Sequence, residues 1–169
     1  MDVDDFESVR FSGTPIDLLE QYFAAHGWTH DRQGDEEIVA QYQGSWAKYE
    51  LRAVWREEDS VLQFLAFPDI RVTTDKRSAV YETMGLINEQ LWLGHFELWQ
   101  SSGLVLFRHA ALLERSDEMV LTLDQAETLI ETAIDECERF YPVFQFVLWS
   151  DKSPADALAS AMIETRGEA

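Results

Sequence analysis

Cysteine is almost missing from this chain. Cys137 is the only one in 169 residues, so no intrachain disulfide can form and nothing points to an oxidising compartment; the cytoplasm is the expected location. Basic residues are scarce too, with 13 Lys and Arg against 32 Asp and Glu, for a formal charge of −19 at pH 7 that is spread along the chain. Phosphate backbones and anionic lipid surfaces are held by Lys and Arg clusters, so neither nucleic acid nor a membrane surface is expected as a partner. A basic or neutral polypeptide suits such a charge. Long apolar runs are also lacking: the longest, YPVFQFVLW from Tyr141 to Trp149, is about half of what crosses a bilayer and includes Pro142 and Gln145. The opening MDVDDFESVR is acidic where a signal peptide has a basic region and an apolar stretch, so no secretion signal is expected.

Apolar material is plentiful. With 46% hydrophobic and 12% aromatic residues, a chain of this length buries roughly 70% of its unfolded surface and can stand on a core of its own. One domain over residues 1–169 is expected, without repeat, linker or low-complexity stretch.

Local patterns order the elements. Thr14, Pro15 and Asp17 form a cap, a first helical position and an acid near the positive helix end, and Gly27 suits the left-handed position after a helix over 15–26. Strand-like segments at 28–32, 36–43, 46–56 and 60–70, separated by turn residues, read as an antiparallel meander. In the third, Tyr49, Leu51, Ala53 and Trp55 alternate with Lys48, Glu50, Arg52 and Arg56, which places one face on a core and one in water. Thr74 caps a second helix with Ala79, Val80, Met84, Ile87 and Leu91 on its stripe, and Gly94 lies just past its end. A second hairpin joins 95–100 to an apolar strand over 104–113, expected to be central or covered on both sides. Thr122 and Gln125 open the longest helix in capping-box spacing. Pro142 predicts a kink or break in it, and a last helix follows SPAD at 153–156.

Candidate chemistry is thin. His95 and Glu97 make an H-x-E pair of the kind that serves zinc deaminases, but those sites also require paired cysteines. His109, in the apolar strand beside Arg108, reads as a hydrogen-bonded structural residue. His26 and His30 have no evident catalytic partner. Cys137, flanked by Glu136 and Glu138, is expected to be an inert core thiol, and the DECE cluster at 135–138 to be a solvated helix face. G-x-S-x-G, P-loop, G-x-G-x-x-G, H-E-x-x-H and EF-hand patterns are absent. No catalytic, cofactor or metal residue is therefore assigned. The aromatics remain: Phe144, Phe146 and Trp149 cannot share one helix face, so some apolar surface is expected to stay open to a second chain, with Trp92 and Trp99 as further members.

The stretches YETMGLINEQLWLGHFELW, LVLFRHAALL and ECERFYPVFQFVLW, followed by SPADALASAMIETRGEA, resemble the YbjN-domain family of bacterial proteins, described as sensory transduction regulators. The resemblance covers nearly the whole chain and is most specific from Tyr81 to Trp149. It implies an α+β fold like the type III secretion chaperones, in the order α-β-β-β-β-α-β-β-α(-α), and a homodimer. It carries over no catalytic residue. The expected function is a non-enzymatic, homodimeric protein that binds another polypeptide as a chaperone-like, sensory or stress regulatory factor. The alternatives are a metal-dependent enzyme or sensor using His95, Glu97 and His109, and an interaction module of a larger assembly.

Overall fold

The computed structural model describes residues 13–114 and 121–166, with the side chains of 163–166 left aside. Its order is α1 (Pro15–Ala25), β1 (His30–Gln33), β2 (Glu37–Gln43), β3 (Lys48–Arg56), β4 (Val61–Phe67), α2 (Arg77–Asn88), β5 (His95–Trp99), β6 (Leu104–Leu112), α3 (Leu123–Trp149) and α4 (Pro154–Arg166). The strands form a six-stranded sheet ordered β1-β2-β3-β4-β6-β5, antiparallel at each pairing. This is the expected α+β architecture, a meander followed by a hairpin.

The helices hold to one face. Tyr49, Leu51, Ala53 and Trp55 of β3, Leu62, Phe64 and Ala66 of β4, and Val105 and Phe107 of β6 are all buried. They meet Ile16, Leu19 and Phe23 of α1 and Ala133, Phe140 and Phe144 of α3 in one core. Phe96 ties β5 into it, with ring centroids 5.5 Å from Phe107, 5.9 Å from Phe140 and 5.4 Å from Phe144. Period-2 alternation thus gives β2 to β6 an apolar side for the helices, while β1, with His30, Asp31, Arg32 and Gln33, has none.

The caps explain where helices start and stop. Thr122 and Gln125 exchange side-chain to backbone hydrogen bonds at 3.0 and 3.1 Å, which satisfies two donors at the α3 terminus. At α1 the Asp17 carboxylate accepts from the Thr14 N–H at 2.8 Å. Gly27, at φ +69, lets Trp28 donate back to Phe23 and close the helix.

Three expectations are corrected. Thr74 does not cap α2; a 3-10 turn over Thr74–Lys76 intervenes, and Thr73 stands at its start. α3 does not break at Pro142 but runs from Leu123 to Trp149. The buried Phe140, Tyr141, Val143 and Phe144 hold both sides of the proline in the core, so packing outweighs one lost donor. Gly94 lies several residues beyond the end of α2, at φ +71 in the turn into β5.

Candidate interaction surface

The sheet face away from the helices carries Lys48, Glu50, Arg52, Val54 and Arg56 from β3, alternating with the buried set. Leu65 of β4 stands between Arg52 and Arg108 in register and is buried; long arginine stems can cover an aliphatic neighbour while their heads stay wet. Arg52 pairs with Glu50 at 2.9 Å and Glu37 at 3.4 Å, and its guanidinium lies 6.0 Å from the Phe67 ring centre.

His95 and Glu97 meet on this face. His95 Nε2 lies 2.7 Å from Glu97 Oε1, which also accepts from Arg108, while the Trp99 indole donates to Oε2 at 3.2 Å. Burial opposes ionisation of Glu97, but the bonds from His95, Arg108 and Trp99 prevail and hold its pKa below the usual carboxylate value. Its oxygens are engaged by three neighbours. His109 does not join them: it follows Arg108 in β6 and so turns to the helix side. There burial, with His95 adding a smaller effect, pushes its pKa down and favours the neutral ring. Among the described residues, no three His, Cys, Asp or Glu side chains gather as a metal site.

His109 instead borders an apolar cleft of about 300 Å³ between the end of β6 and the start of α3. Ala111, Leu113, Leu121 and Leu129 give it greasy walls; Asp124, Gln125, Thr128 and Thr132 add polar edges. Leu93 and Leu112 also line it and are exposed, Leu112 at 81%. Their chain neighbourhood adds two more exposed apolar side chains, Trp92 at 99% beside Leu93 and Leu123 beside Asp124. Water-facing apolar groups gathered at one corner are the usual mark of a contact surface.

The five aromatics expected at a surface divide. Trp92, Trp99 (38%) and Trp149 (78%) are exposed. Phe144 is corrected: at 1% exposure it is core, packed on Phe96. Phe146 is half-buried against the core, with Lys152 Nζ 4.7 Å from its ring centre. Cys137 is buried, and burial, then Glu138 and Glu136, raise its thiol pKa far above the ordinary value. His26 stacks on Tyr22 with centroids 4.0 Å apart, and His30 Nδ1 lies 2.9 Å from the Trp28 carbonyl. Leu93, Leu112 and Leu123 at or beside the cleft, and Trp46 and Tyr81 elsewhere, are exposed apolar residues that sequence patterns did not pick out. Leu112 gives no signal of its exposure, since its strand is apolar on both faces and the pattern alone does not tell its exposed end from its buried middle.

One solved structure shares the architecture. The family model YbjN, described as "Putative bacterial sensory transduction regulator", matches residues 15–146. The crystal structure of YbjN from E. coli superposes with a TM-score of 0.51 at 9% identity, over 79% of this chain and 88% of that one. The ExsC-ExsE complex gives a TM-score of 0.46 at 16% identity, over 73% of this chain and 88% of that one. No curated protein matches the sequence significantly. No helix among the described residues is long and apolar enough to cross a membrane.

Proposed function

This chain belongs to the YbjN family, and from that premise we propose that it is a regulatory protein that binds another polypeptide, as a homodimer and without catalysis of its own. On this proposal residues 1–169 form one domain, in the cytoplasm. The observation that carries it is the corner cleft, where Trp92, Leu93, Leu112 and Leu123 are exposed around or beside apolar walls. Tryptophan is a common anchor in binding surfaces, and burying it and the leucines on binding returns the free energy of apolar transfer. The charge of −19 favours a basic or neutral partner.

Affinity capture with the parent chain and with Leu112→Asp tests the binding. The parent should enrich one or a few proteins that the variant loses; equal recovery by both would remove the cleft from the reading. Light scattering tests the dimer, which should show about twice the 19.5 kDa chain mass. A monomer at every concentration would count against it.

A further inference from the structure

The two edges of the sheet are finished differently. At β5 both outward backbone groups of Phe96 are taken by one side chain: Asn88 Oδ1 accepts from its N–H at 2.9 Å and Asn88 Nδ2 donates to its carbonyl at 3.2 Å. An amide placed there occupies the positions an added strand would use at Phe96, and so blocks that part of the edge. At β1 the Gln41 N–H donates to the Thr29 carbonyl. With the register Asp31 to Val39 and Gln33 to Glu37, this sends the N–H and C=O groups of His30 and Arg32 away from β2. Among the described residues none of these four groups has a backbone or side-chain partner.

The surroundings of this open edge are anionic. Asp31, Asp35 and Glu36 lie on or beside β1, and Asp17 and Glu20 reach it from α1. One cation, Arg32, stands among them and is already engaged by Asp17 at 2.6 Å, Asp35 at 2.6 Å and Glu20 at 3.4 Å. Two copies of this chain meeting edge to edge would bring these carboxylates together. A cationic strand would both fill the backbone positions and offset the charge.

We propose that the free edge of β1 takes an extended, lysine- or arginine-bearing segment of a partner polypeptide as an additional strand of the sheet. The surface is separate from the corner cleft, so either can fail without the other.

The test uses the full chain and a short, end-blocked peptide of alternating lysine and valine, followed by backbone NMR. Binding should move the amides of His30 and Arg32 and slow their hydrogen exchange. Methylating the peptide nitrogens that face β1 should weaken binding at least about tenfold by removing strand hydrogen bonds. Asp31→Lys, at an exposed position, should weaken it several-fold, and Leu112→Asp should leave it unchanged. The proposal is overturned if the methylated peptide binds as well as the parent, if a glutamate-for-lysine peptide binds equally, or if the shifts fall elsewhere. Slow exchange at His30 and Arg32 in the free protein would also overturn it, since the edge would then be occupied by the chain itself or a second copy.

Discussion

Arg108 donates to the Glu97 carboxylate from the neighbouring strand, and the same carboxylate oxygen receives His95 at 2.7 Å. Removing the charge by Glu97→Gln should cost about 1 kcal/mol at neutral pH, since the pair is only partly shielded from water. The pH dependence has a definite sign. A folded pKa below the ordinary 4.5 means that this stabilisation is present above that value and is lost as pH falls through the lowered one. Urea denaturation of parent and variant should therefore give curves that converge in acid; a gap that persists there would place the effect in packing.

Asn88→Ala removes both partners of the Phe96 backbone at once. An unpaired, part-buried N–H and C=O should cost about 2 kcal/mol together. Asn88→Asp retains the acceptor but sets a carboxylate against the Phe96 carbonyl, and it should not recover the loss. Thermal melts of the three proteins provide the check, with equal midpoints the contrary result.

Phe144 and Trp149 lie five residues apart in α3 and should behave oppositely. Phe144→Ala opens a cavity beside Phe96 and should cost about 3–5 kcal/mol. Trp149→Ala alters an exposed helix end and should stay within about 0.5 kcal/mol. Chemical denaturation of both variants measures the contrast.

Glu136 has one carboxylate oxygen buried without a hydrogen-bond partner among the described residues. Burial raises its pKa, Arg139 partly offsets the rise, and Asp135 adds to it. A carboxyl that holds its proton more tightly when folded loses stability for the protein as pH rises through the window above its ordinary 4.5. Glu136→Gln should thus stabilise the protein modestly at pH 7, by less than about 1 kcal/mol, because water screens the partly exposed group and the amide leaves a polar atom in the same place. The gain should vanish in acid, where Glu136 is protonated in both states; melting curves at the two pH values decide it.

Much of this architecture was legible in local pattern. Tyr49, Leu51, Ala53 and Trp55 announced a one-faced strand, and Thr122 with Gln125 announced a helix start, because alternation and capping are written within a few residues. Phe144 was not legible as core. A helix packed on the sheet, α2 and α4 buries more of its circumference than a single amphipathic stripe suggests. The same packing carries α3 through Pro142. The cleft was hidden for a different reason: Leu93, Leu113, Leu121 and Leu129 come from four places in the chain, and only the pairing of β5 and β6 beneath α3 brings them together. The separation of His95 and Glu97 from His109 follows from strand parity, once Arg108 is seen to face Glu97.

The strand order also has a kinetic side. β1 to β4 pair in chain order through short turns, whereas β6 must bring back a loop containing α2 and β5 before it can join β4. Closing that loop costs entropy before any pairing returns it, so the meander should assemble early and the β4–β6 seam should set the folding rate. The seam joins Phe64 to His109 and Ala66 to Phe107 inside the sheet, so a chain stalled at this step would show β4 as an unprotected edge in place of an interior strand.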